Sequence, residues 1–318
     1  VNSALLSRCQ TYVLKTLSSA PLIKIIDKVI LAGFDAIQIQ VWKHQNIVTP
    51  NHKDIKILKK IEISYSNWEK IISYIKSKSN KIDIIACIYD EDAFQFCSRN
   101  KIKLFKLHTS DLGNEILIKK VSKTAKRIDL SLGSSTEKEI SNALKWIKKS
   151  CETWLMYGYQ LFPTDPKKIN LRFLLYLKKK YNIRVGYQDH SPYDMSAFTI
   201  PAAAIGSGID VIEKHVTDSN KRNGTDGQAA IEIKNYKLFV EKSMEVYSSL
   251  GVGKKIKFSK EEKKYRIYSK KIIFFNKNLK KNHILKLDDL IFLRNGQKGE
   301  MIDGYKKFLG KKIIKDVK

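Results

Sequence analysis

His190 closes the run at residues 184–190 (RVGYQDH), and His215 lies near the end of residues 210–217 (DVIEKHVT). Imidazole is a common ligand for divalent metals, so two histidines at the ends of consecutive strands could converge on one ion. Side chains alternate along a strand, which puts Glu213 on the same face as His215. Two histidines, an acidic neighbour and water make an open site of the catalytic type. The alternative is that each histidine hydrogen-bonds locally. The same alternation pairs Gln38 with Gln40, Lys106 with His108, Ser131 with Gly133, and Gln188 with His190. Lys106 stands mid-strand in residues 103–109 (KLFKLHT). If it points inward it needs an anion, because an unpaired buried charge is costly. If it points outward it can snorkel to solvent. Thr109 and Ser131 could add hydroxyl donors to the same anion. His44, His52 and His283 read as surface residues.

These residues need a frame that brings strand ends together. Strand-like runs occupy residues 35–42, 81–89, 103–109, 127–133, 152–160, 184–190 and 210–217, with a weaker one at 9–14. Amphipathic helical stretches alternate with them, at 21–32, 64–77, 90–99, 112–124, 136–149, 167–181, 192–205 and 233–250. Capping residues such as Ser64 and Thr136 open several of these. Eight β-then-α units predict a closed (β/α)8 TIM barrel over residues 1–250, with chemistry at the C-terminal strand ends. A doubly wound sheet would need a glycine-rich turn after its first strand, and none is present. The pattern changes at Gly251-Val-Gly253. A linker at 251–262 and a small separate domain at 263–318 are expected, with Asn278, Asn282, Gly296, Gly299 and Gly304 as turns.

Composition narrows the class. The 318 residues carry 43% hydrophobic and 29% charged side chains, a globular balance. No run of 18 uncharged apolar residues exists, so no transmembrane helix is expected. Residues 1–8 lack a basic stretch leading into a long apolar core, so a cytoplasmic location is expected rather than secretion. Cys9, Cys87, Cys97 and Cys151 form no CxxC pair, which suits a reducing compartment. The net charge is +28, and residues 254–318 hold 21 Lys/Arg against 7 Asp/Glu. Such a field attracts polyanions, but Lys and Ile recur along the whole chain and no nucleic-acid motif accompanies the charge. Neither nucleic acid nor membrane is expected as a partner.

Several ordered segments resemble the sialic acid synthase (N-acetylneuraminate synthase) family. They are residues 32–36 (AGFDA) before the strand ending at Gln40, residues 62–69 (EISYSNWE), 89–92 (YDED), Phe105-Lys106, Ser110-Asp111, Leu130-Ser131, 162–164 (FPT), Asp189-His190, 211–215 (VIEKH) and Asp226. Residues 279–285 (LKKNHIL), 293–296 (LRNG) and 308–311 (FLGK) resemble the antifreeze-like (SAF) domain that follows the barrel in that family.

The resemblance implies condensation of phosphoenolpyruvate with an N-acetylated hexosamine-type sugar, giving a sialic-acid-like nonulosonic acid and phosphate. It implies a divalent cation, Mn2+ or Mg2+, at His190 and His215, and a catalytic carboxylate at Glu213. Lys106, Thr109 and Ser131 would contact phosphoenolpyruvate. Gln40 and Asp226 would hold the acceptor sugar, with Arg294 lent by the partner's small domain in a swapped homodimer. The chain departs from the family on the donor side. Gln10 stands where a catalytic glutamate is expected, Gln38 where a lysine is usual, Cys87 where a hydroxyl is usual, Gln188 for a serine and Gln160 for an asparagine. A neutral Gln10 cannot act as a general acid or base. The alternatives are a diverged barrel enzyme for a related sugar or donor, and a catalytically impaired sugar-binding paralogue.

Overall fold

The computed structural model describes residues 6–11, 19–219, 226–254 and 257–318; through Pro21 it describes the backbone alone. The described chain forms two compact units, Val1–Gly251 and Val252–Lys318.

In the first unit, β1 (Leu6–Thr11), β2 (Ala36–Val41), β3 (Asp83–Ile88), β4 (Leu104–Leu107), β5 (Arg127–Ser131), β6 (Glu152–Tyr157), β7 (Arg184–Asp189) and β8 (Val211–Thr217) pair in sequence order. All neighbours are parallel, and β1 also pairs with β8 through the register Leu6↔Val211 to Thr11↔Val216, which closes the barrel. A two-residue strand, β9 (Ile231–Glu232), adds to the end of β8. The expected elements are all present, and each strand is trimmed or shifted by a few residues. The weak first strand lies at Leu6–Thr11 rather than 9–14, and residues 12–14 fall outside the described residues.

Parallel pairing buries both faces of each strand, so most outward residues are apolar and the polar residues that alternate with them face the barrel interior. Outward residues such as Ile37, Ile39 and Val41 on β2 join one large core with the surrounding helices. That core takes Trp68, Ile72 and Ile75 from the helix Tyr65–Lys78, and Leu174 and Leu177 from Leu171–Tyr181. Inward residues divide by height. Near the N-terminal strand ends they are apolar, in the clusters Ala36–Ile85–Leu104 and Trp154–Met156–Val211. Among them Arg127 binds Asp129 through Nε at 2.7 Å and Nη2 at 3.0 Å, and its guanidinium stacks 4.2 Å from the Trp154 ring. Toward the C-terminal ends the inward residues become polar. Alternation therefore plugs one end of the barrel and leaves the other end chemically equipped.

The cap at Thr136 is a full capping box with Glu139. Two short helices, His44–Ile47 and Ile55–Ile61, follow β2; the sequence reading had no element there.

In the second unit, β10 (Ile272–Phe275) pairs antiparallel with β11 (Leu290–Leu293). Leu279, Leu285 and Ile313 form a small core with Phe308 and Val317 against it. Asn282, Gly296 and Gly310 adopt positive φ of 70°, 71° and 77°, so Asn282 and Gly296 act as turns as expected. Residues 260–269 differ from expectation. They form the helix Lys260–Ser269, opened by a capping box between Ser259 and Glu262, across the expected boundary between the linker at 251–262 and the small domain. The local Ser-x-x-Glu signal outweighs the polar composition.

Candidate functional site

At the C-terminal ends of the strands the barrel opens on a cavity of about 160 Å³. Gln40, Lys106, Ser131, Gln188 and His190 reach it from β2, β4, β5 and the end of β7, and Gln160 and Asp226 reach it from loops. Tyr89, His108 and Phe162 also line it. The sequence reading gave these three no role, although alternation already put His108 on the face of Lys106.

Below the cavity runs a chain of buried polar groups. Ser131 Oγ donates to Gln188 Oε1 at 3.0 Å, and Gln188 Nε2 donates to Glu213 Oε1 at 2.9 Å. Lys106 Nζ donates to the same Glu213 oxygen at 2.6 Å. Lys106 is 1% and Glu213 5% exposed, so this is an internal ion pair. Lys106 therefore points inward, and its first anion is Glu213. Burial pushes the Glu213 carboxyl above its usual value, with Lys106 opposing.

The structure brings His190 and His215 together. Their ring centroids are 5.3 Å apart with planes at 58°, and Phe162 packs on both, at 4.2 and 5.4 Å. The β6–β7 loop holds this arrangement. Tyr159 carbonyl oxygen lies 2.8 Å from His190 Nδ1, and Thr164 N donates to the His190 carbonyl at 2.7 Å. A carbonyl only accepts, so Nδ1 carries the proton and Nε2 keeps a lone pair. Burial lowers the His190 imidazole to about 4, and burial with His190 beside it lowers His215 well below its usual value. Both rings are neutral near pH 7, the form in which histidine ligates metals. One nitrogen anchored to a carbonyl and the other left basic is the usual outer arrangement of a metal-bound histidine. The donor set fits a divalent ion. Among the described residues no group of three or more His, Cys, Asp or Glu could hold one, so two protein ligands would leave most coordination positions open.

Glycines make room for the mouth. A Cβ on Gly158 would collide with the Gln188 backbone carbonyl, and one on Gly133 with the Gln160 side chain.

Four expected residues need correction or fall elsewhere. Gln38 does not line the cavity. It faces inward like Gln40, but two residues earlier on β2, which is roughly 6–7 Å deeper. It is 2% exposed, and its amide has no hydrogen-bond partner among the described residues. Thr109 does not line the cavity either. β4 ends at Leu107, and the Thr109 hydroxyl turns to the Gly133 carbonyl and the Ser135 hydroxyl, tying two loops together. Arg294 follows β11 in the second unit and is exposed there. Gln10 pairs through its backbone with Gln38 and His215, and its side chain lies outside the described residues. Asp226 is at the cavity wall, where burial raises its carboxyl to about 6.

A closed (β/α)8 barrel with paired histidines and a buried acid–lysine pair at its mouth defines a barrel synthase, a C–C bond-forming transferase of the sialic acid synthase kind. The chain belongs to the NeuB family, whose model matches residues 25–255. It is 26% identical to the N,N'-diacetyllegionaminic acid synthase of Campylobacter jejuni, over 93% of this chain and 91% of that one. A pseudaminic acid synthase of the same species is 24% identical over 90% of this chain and 85% of its own length. Among solved structures, the N-acetylneuraminic acid (sialic acid) synthetase of Leptospira borgpetersenii superposes with a TM-score of 0.74 at 23% identity, covering 83% of this chain and 92% of that one.

Proposed function

We propose that the chain condenses phosphoenolpyruvate with an N-acetylated hexosamine-type sugar, in the presence of a divalent cation, to give a sialic-acid-like nonulosonic acid and inorganic phosphate. The observation that carries this reading is the convergence of His190, Lys106, Gln188, Ser131, Gln40 and Asp226 on one cavity. The named relatives make nonulosonic acids of this class.

In this reading Ser131 and Gln188, held by their mutual hydrogen bond, position the three-carbon donor above the Lys106–Glu213 pair. Gln40 and Asp226 hold hydroxyl groups of the open-chain sugar. The methylene carbon of phosphoenolpyruvate attacks the aldehyde carbon, forming the new C–C bond. Water adds to the resulting carboxyl-bearing cation, and phosphate leaves as the ketone forms. With a glutamine at position 10, Glu213 is the inward carboxyl placed to take the proton of that water. A cation at His190 and His215 supplies Lewis-acid polarisation of the aldehyde. The partner arrangement belongs to the same proposal: a homodimer in which the small domain, an antifreeze-like fold, lends Arg294 to the other barrel. No helix among the described residues is long and apolar enough to cross a membrane.

The test is phosphate release from phosphoenolpyruvate, Mn2+ or Mg2+, and a panel of N-acetylated hexosamines. Metal-dependent release with one sugar is the expected result. Sugar binding without release from any member of the panel would overturn turnover and identify an impaired paralogue.

A further inference from the structure

The donor side of the cavity is short of positive charge. Phosphoenolpyruvate brings a carboxylate and a phosphate. Yet the Lys106 charge is already met by Glu213 at 2.6 Å, and Gln38, where a lysine is usual, lies outside the cavity and carries no charge. His108 stands two residues beyond Lys106 on the same inward face and lines the cavity. Its ring packs on Tyr89, another lining residue, with centroids 5.0 Å apart and planes at 30°.

The orientation of His108 fixes its tautomer. The Ser110 backbone N–H donates to His108 Nδ1 at 3.3 Å, and a backbone N–H can only donate. The Ser110 hydroxyl, 3.0 Å from both Nδ1 and Asp111 Oδ2, has a single proton to give and does not decide the tautomer; the backbone N–H does. Nδ1 is thus the acceptor, and the ring proton sits on Nε2, at the edge away from the loop. That leaves an N–H donor on a ring packed against Tyr89, lining the same cavity as Lys106 and Ser131. Donors of this kind, fixed before the ligand arrives, bind oxyanions at low reorganisation cost.

We propose that His108, held by Tyr89, is a donor-binding residue of this chain: its Nε2–H takes an anionic oxygen of phosphoenolpyruvate. The proposal rests on the synthase reading above and assigns the contact that replaces the missing second-strand lysine.

Calorimetric titration of the full chain with phosphoenolpyruvate tests it, with inorganic phosphate and pyruvate as separate arms that tell which end of the donor is held. His108→Phe keeps a ring on Tyr89 but has no N–H, and His108→Gln keeps an N–H without the ring. The surface variant His52→Ala is the control. Expected are a loss in affinity on the order of tenfold for His108→Phe, most of the affinity retained by His108→Gln, and an unchanged control. Parent-like binding by His108→Phe would overturn the assignment, as would equal loss in both His108 variants. Parent protein that binds phosphoenolpyruvate but releases no phosphate with any sugar would defeat the synthase reading and leave the His108 contact standing. Parent protein that binds none of the three anions would end both.

Discussion

At the residue scale, the mouth of this barrel works with neutral groups. Burial and the neighbouring Lys106 lower the His108 imidazole to about 4, and burial does the same for His190. The Lys106–Glu213 pair cancels internally. Apart from the Asp226 carboxyl, a site of this kind holds little charge of its own until ligands arrive. For His108 this has a consequence for stability. The unfolded chain takes up a proton on this residue near pH 6.5, whereas the folded chain does so only near 4. The stability that the neutral ring contributes is therefore complete above about pH 6.5 and is lost as the pH falls from there to 4. The ceiling is about 3 kcal/mol at roughly 1.4 kcal/mol per unit, and partial exposure reduces it. Urea midpoints measured for parent and His108→Gln between pH 4 and 7.5 check this. The parent should lose more stability on acidification, and parallel curves would refute the assignment. The residue types of this site were legible in the sequence, because alternation paired Lys106 with His108, Gln188 with His190 and Glu213 with His215, while the direction of Lys106 itself stayed open. Which residues reach the cavity was not legible. Gln38 and Gln40 share a face and a residue type, and only depth along β2 separates them.

At the element scale, the two histidines depend on how β7 and β8 are fastened. Asp189 precedes His190, Lys214 precedes His215, and the pair forms an ion bridge of 2.7 Å with both side chains fully buried. Asp189 also accepts from the Tyr187 hydroxyl at 3.0 Å, the Ser191 N–H at 2.9 Å and the Ser191 hydroxyl at 3.0 Å. The bridge sits on the outer face, opposite the cavity, and ties the two strands one residue before each ring. A buried charge left without its partner costs about 3–5 kcal/mol, whereas removing both charges is often far less harmful. Lys214→Met should therefore destabilise the barrel by about 3–5 kcal/mol in denaturant. The double variant Asp189→Asn, Lys214→Met should recover part of that loss. Additive losses in the double variant would show that the two residues act separately. Both charges stand in the segments from which the strands were read. Their outward direction follows from the inward direction of His190 and His215. Their pairing across two strands depends on the β7–β8 register, Asp189↔Lys214, which no local pattern specifies.

At the scale of the whole molecule, the barrel was the most legible feature, because eight repeats of the same two-element unit leave little choice of topology. The second unit was less so. Its core rests on Leu279, Leu285 and Ile313 with Phe308 and Val317, brought together by turns at Asn282 and Gly310 rather than by periodicity. It also leaves Phe275, Ile291 and Leu293 on its β10–β11 hairpin more than a third exposed. A unit of fewer than 70 residues with so small a core gains from a docking surface, and in the proposed homodimer a second copy of the chain would supply one. If Arg294 serves the partner's barrel, two inactive variants can repair each other. In a heterodimer of His190→Ala and Arg294→Ala chains, one site carries both lesions and the other carries neither. Random exchange of subunits should then restore about a quarter of the parent's phosphate release. The measurement is phosphate release after mixing, with exchange followed by native mass spectrometry of differently tagged chains. Complete exchange without recovered activity would place Arg294 on its own barrel or away from both.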